Sequence, residues 1–176
     1  MKNIKVTVDA TSSADLNAIE KYLLNMKMDP SLEKDKVHVS FFTSTRVLEK
    51  ELTAIETPLT FENINGNLRT PSSFNPIIYE ALSPDVDALI FIGDFMDEGI
   101  KKESIRNPNT KILFVSTQST PEPHFIADLK DLPNIRSTTT DKYISLGNLF
   151  NNDVSFQDKL DKIRTSTNTN NSKLTP

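Results

Sequence analysis

Asp9-Ala10-Thr11-Ser12-Ser13 sets a carboxylate two residues ahead of one hydroxyl and four ahead of another, and a second carboxylate, Asp94, follows directly on the most apolar run of the chain, residues 87–93. Brought to about 4 Å, two such carboxylates repel by roughly 4 kcal/mol at an effective dielectric near 20. A divalent cation is the simplest compensation. The donors around Asp9 are hydroxyl oxygens, with neither sulfur nor imidazole nearby, and an all-oxygen shell selects Mg²⁺, Mn²⁺ or Ca²⁺ rather than zinc. Mg²⁺ takes about six oxygens near ~2.1 Å, which hydroxyls, one or two carboxylates and waters can supply.

Each of these residues also has a plainer use. Asp9 and Ser13 suit ordinary helix capping after a strand, because Ser and Asp are among the commonest caps. Thr70 and Ser72 stand in a proline-flanked stretch where turn and cap chemistry serves equally well. Asp97 and Glu98 would favour the N-terminus of a following helix through its dipole, or sit at the rim of a site. His38 and His124 have no third partner in sight and make no nucleophile relay.

The elements that must position the aspartates are readable from periodicity. Ile4, Val6 and Val8 alternate with Lys5 and Thr7, the pattern of a strand with two unlike faces, and the strand ends on Asp9. Ser12 or Ser13 is then placed to cap a helix with Leu16, Ile19, Leu23 and Met26 on one side, and Asp29-Pro30 marks its exit. Residues 37–42 and 46–52 form two further extended runs joined by Thr43-Ser44-Thr45. A link that short holds no crossover helix, so these runs pair as an antiparallel hairpin.

Residues 53–72 are irregular, and a loop of that length inside a compact domain is more often functional than idle. A helix follows through Phe74, Ile77, Ile78 and Leu82, then the apolar strand 87–93, a strand at 111–116, a helix over 123–132, an edge strand at 135–139 and a last helix over 153–163. Phe41, Phe42, Phe91 and Phe114 read as core. Alternation of this kind predicts an α/β chain: three layers, doubly wound, with a mostly parallel central sheet and one antiparallel strand. Such sheets take ligands beyond the carboxyl ends of the strands, where the winding reverses. If the first strand and strand 87–93 are neighbours across that reversal, Asp9 and Asp94 meet there.

With the elements in place, the residues resemble a known family. Asp9-Ala10-Thr11-Ser12-Ser13 is similar to the D-x-S-x-S motif that opens the metal-ion-dependent adhesion site of von Willebrand factor A domains, with Thr11 in place of the first serine. Thr70-Pro71-Ser72-Ser73-Phe74-Asn75-Pro76 matches the F-x-P end of the family's G-G-T-x-F-x-P loop, which puts Ser72, or Thr70 if the loop is shifted, at the threonine position. Asp94 matches the final aspartate, with Gly93 and Phe95 departing from the usual T-D-G. The resemblance covers residues 3–163 as an order of elements and implies a Rossmann-like fold. It also implies a metal site of Asp9, Thr11, Ser13, Thr70 or Ser72, and Asp94, and a protein partner that offers an acidic residue to the ion. The low glycine content and the altered turn are also compatible with a domain that has lost the metal and works through its loops alone.

Composition sets the outer bounds. A length of 176 residues and a 36% hydrophobic share suit one domain, here residues 1–164, with a polar, aperiodic stretch at 165–176 that reads as a disordered tail. There is no cysteine, so disulfides and thiolate metal sites are excluded and a reducing, cytoplasmic setting is expected. A formal charge of −4 without a basic run argues against a nucleic-acid surface. No stretch reaches the ~20 apolar residues of a membrane span. The enzymatic alternative is a metal-dependent nuclease or phosphohydrolase of PIN-like type, with Asp9, Asp94 and Asp97 holding cations that activate water. The hairpin, the hydroxyl-rich first turn and the acidic charge count against it, which leaves a non-catalytic binding module as the first reading.

Overall fold

The computed structural model describes residues 1–10, 14–42, 46–64, 85–94, 110–118 and 135–146, with Arg46, Val47 and Arg136 by their backbone alone. The expected helices over 72–82, 123–132 and 153–163, and the tail 165–176, lie outside the described residues. Among the described residues six strands form one sheet in the order β3-β2-β1-β4-β5-β6. They are β1 Asn3–Asp9, β2 Lys36–Phe42, β3 Arg46–Glu51, β4 Ala88–Gly93, β5 Lys111–Ser116 and β6 Ile135–Thr139, with helix α1, Leu16–Lys27, between β1 and β2. All pairings are parallel except β2 with β3, the expected hairpin, which carries a register shift between Phe41 and Phe42. The sheet is doubly wound, because β2 and β3 lie on one side of β1 while β4, β5 and β6 lie on the other.

Burial on both faces explains the two sequence patterns. Ile4, Val6 and Val8 of β1 stand level with Val37, Val39 and Phe41 of β2 and with Ala88, Ile90 and Ile92 of β4. Together with Leu113, Val115 and the Ile19, Tyr22, Leu23 and Met26 stripe of α1, they make one apolar cluster. The opposite face holds Phe42, Leu89, Phe91, Ile112 and Phe114, all buried. There the Phe91 ring stacks on Phe114 at 5.8 Å and meets Phe42 edge-on at 6.5 Å, contacts worth about 0.5–1.5 kcal/mol each beyond area burial. β4, buried at every position, therefore reads as an uninterrupted apolar run, as strands covered on both faces do.

The start of α1 differs from the expectation in its cap. Asp15, not Ser12 or Ser13, is the N-cap, and its side chain accepts from the Ala18 N–H at 3.1 Å. The stripe begins at Leu16, so the boundary residue is the one just before it. At the other end Met28 caps the helix and Asp29-Pro30 turns into a 3₁₀ turn, Pro30–Leu32, since a residue before proline is driven out of helical conformation. β1 is anchored at its start by two acids: Asp35 accepts the Lys2 N–H at 2.9 Å and Asp87 the Asn3 N–H at 2.7 Å.

After β6 the chain turns at Thr140 and Asp141 and then runs without regular structure to Leu146. This strap lays Tyr143 and Ile144 on the cluster that also holds α1, and buries Leu146 completely. Among the described residues no helix is long and apolar enough to cross a membrane.

Candidate functional site

Asp9 is the last residue of β1, in register with Phe42 of β2, and the ladder continues one step beyond it through Ala10 N–H to Phe42 O at 2.8 Å. Asp94 follows Gly93, the last residue of β4. β1 and β4 are parallel neighbours with Val8 opposite Ile92, so both aspartates leave the same rim of the sheet on adjacent strands, which lie about 4.8 Å apart. This is also the boundary at which the winding reverses. The strand order thus sets the two strand ends that carry Asp9 and Asp94 on one rim, astride the switch point.

Both carboxylates are nearly removed from solvent, Asp9 at 1% and Asp94 at 7% exposure. Charged groups at such depth persist only where neighbouring groups compensate them, and each of the two engages partners in the protein. Further along the rim the donors are hydroxyls. Ser116, opposite Gly93 at the end of β5, is fully buried and its Oγ accepts the Gln118 N–H at 3.0 Å. Thr139 ends β6 and donates its hydroxyl to the Asp141 carboxylate.

The donor set of the described rim is thus oxygen throughout, which fits a hard cation. Thr11, Ser13, Thr70 and Ser72, the remaining ligands expected from sequence, lie outside the described residues, as do Asp97 and Glu98. Among the described residues no group of three or more Asp, Glu, His or Cys stands where it could hold a metal ion. His38 is half-buried near the amino end of β2, away from this rim.

A third aspartate is buried among the described residues, Asp29, whose place in the sequence marks it only as a helix exit. Asp29 lies beyond the last turn of α1, around a groove shared with Met1, Asp35 and Lys36, so it sits at the amino ends of the parallel strands. Its Oδ1 accepts from Ser31 N at 3.0 Å, Ser31 Oγ at 2.5 Å and Ser145 Oγ at 3.1 Å; its Oδ2 accepts from Tyr143 OH at 2.6 Å and Leu146 N at 3.0 Å. Burial by itself would push this carboxyl up, but the hydrogen bonds from Ser31, Tyr143 and Leu146 outweigh it and hold it below the usual aspartate range. Burial pushes the phenols of Tyr143 and Tyr22 well above the ordinary tyrosine value, and the Asp29 charge adds to both. The only sequence signal was Asp-Pro-Ser, since the other donors come from 114 to 117 positions away.

No protein-family profile and no curated protein matches the sequence. Among solved structures the chain is similar to a von Willebrand factor type A protein from Catenulispora acidiphila, at 12% identity and a TM-score of 0.46 over 78% of this chain and 38% of that one. It is similar also to proximal thread matrix protein 1 from the mussel byssus, at 12% identity and 0.47 over 85% and 46%. A third is the ArnB paralog VWA2 from Sulfolobus acidocaldarius, at 13% and 0.40 over 84% and 43%. The chain spans less than half the length of each.

Proposed function

We propose that this chain is a von Willebrand factor A-like interaction module that binds an acidic residue of a protein partner through a Mg²⁺ or Mn²⁺ ion held at the carboxyl rim of the sheet. The observation that supports it is the burial of Asp9 and Asp94 at the ends of adjacent parallel strands, at the point where the winding reverses. In this reading Asp9, Asp94, Thr11, Ser13 and either Thr70 or Ser72 hold the ion. The bound cation supplies an open coordination position to which a partner's Asp or Glu carboxylate adds. Asp9, in the ladder with β2, and Asp94, directly after the last residue of β4, are shielded from water and stay in place whether or not a partner is bound. That rigidity limits the ordering cost of binding.

The enzymatic alternative would use the same two carboxylates. What favours the module is the antiparallel β2–β3 hairpin and the net charge of −4, which opposes the approach of a polyphosphate. Thermal melts under Mg²⁺ or Mn²⁺ titration test the reading: the midpoint of the parent rises with cation, by the equivalent of about 2.7 kcal/mol at a hundred times the dissociation constant, while Asp9→Ala and Asp94→Asn stay flat. An equal response in parent and variants would refute the site. Cleavage of single- or double-stranded nucleic acid in Mn²⁺, lost in Asp9→Ala, would move the assignment to the enzyme.

A further inference from the structure

We propose that Asp29 is an acid-sensitive latch: its charged carboxylate fastens the strap Tyr143–Leu146 to the end of α1, and neutralising that charge frees the strap while the sheet stays intact. The inference is independent of the metal site at the opposite rim. It rests on which donors reach which oxygen. Each carboxylate oxygen takes one backbone N–H, Oδ1 from Ser31 and Oδ2 from Leu146. A backbone N–H cannot reverse its role, so both oxygens must be acceptors. A protonated carboxyl, or an asparagine amide in either orientation, can leave one of those N–H groups facing another donor.

Among the described residues the strap has little else to hold it. From Lys142 to Ser145 it has no regular structure. Among the described residues its attachments are the Asp29 bonds, a contact of 2.9 Å between the Ser145 and Ser31 hydroxyls, an edge-on contact of the Tyr143 and Tyr22 rings at 5.2 Å, and apolar contact through Ile144 and Leu146. By contrast β1 and β4 are secured on both sides by sheet ladders. Segments joined by few bonds open as separate units at lower free energy than the sheet they lie on.

Among the described residues the titratable groups that face Asp29 are Tyr22 from α1 and Tyr143 from the strap, both neutral through the acid range. Around the adjoining groove stand Lys27, whose ammonium donates to Ile55 O at 2.7 Å, and Glu33, Lys34, Asp35 and Lys36. Asp29 is held low when folded, so its contribution is complete above the ordinary aspartate value of about 3.9 and is lost as pH falls through the folded value. The latch therefore holds at neutral and mildly acidic pH and opens below the usual aspartate range.

Hydrogen exchange resolved by peptide tests this on the whole chain. In Asp29→Asn at neutral pH, peptides covering 140–146 are expected to lose protection by roughly tenfold or more, the scale of a bond to a charged group, while those covering β1 and β4 keep theirs. Unchanged strap protection, or equal loss in strap and sheet, overturns the proposal. If Asp29→Asn does not fold, the parent decides the matter in a pH series corrected for intrinsic exchange. Strap protection lost at a higher pH than sheet protection supports the latch, and loss of both together overturns it.

Discussion

Tyr143 donates its hydroxyl to Asp29 at 2.6 Å while its ring rests on Tyr22, so Tyr143→Phe removes the bond and keeps the packing. Hydrogen bonds to charged groups contribute about 1.5–3 kcal/mol; because Tyr143 is only half-buried, the lower end is expected, read as a fall in the urea midpoint at constant slope. The same change has a pH signature. The phenol is raised in the folded chain, so its contribution is full below the ordinary tyrosine value of about 10 and declines as pH climbs above it. Urea melts from pH 8 to about 11.5 should show a shallower decline in Tyr143→Phe than in the parent, and parallel curves would count against it. Asp9 and Asp94 were legible in sequence because each closes an apolar strand, a local pattern. Asp29 was not, because what makes it unusual is donated from the far end of the chain, and no spacing announces that.

At the scale of elements, strand limits followed from run length and flanking polarity. β5 and β6 fall where the apolar pattern puts them, and the three-residue link between β2 and β3 forced the hairpin. Two details did not follow. The second extended run was read to Leu52, which instead opens a 3₁₀ turn, Leu52–Ala54, and is buried there; an apolar residue at a strand end looks the same in either conformation. The cap of α1 moved to Asp15 because serine and aspartate satisfy the same N–H groups and only the first helical residue decides between them. Asp15→Ala should therefore cost about 1 kcal/mol, measured by urea denaturation, while Asp15→Ser should recover most of it. No loss in Asp15→Ala would mean that α1 is held by its buried stripe alone.

For the molecule as a whole, one sheet carries two apolar faces, and Asp9 and Asp94 are buried at the ends of its adjacent inner strands. Phe91 sits at the middle of the second face between Phe42 and Phe114. Phe91→Ala should destabilise by about 3–5 kcal/mol, the range for a large buried aromatic, and Phe91→Leu by clearly less; calorimetric or urea melts that fail to separate the two would contradict the packing. The order β3-β2-β1-β4-β5-β6 also bears on biosynthesis. Of these six strands the earliest to be translated is an inner one: its start meets Asp35, 33 positions on, through Lys2, and Asp87, 84 positions on, through Asn3. The hairpin half can assemble on the nascent chain early, but the second edge of β1 waits bare, its backbone groups on that side without their ladder partners, until β4 has been translated. During that interval it is an open template for a chaperone or for a neighbouring nascent chain on the same polysome.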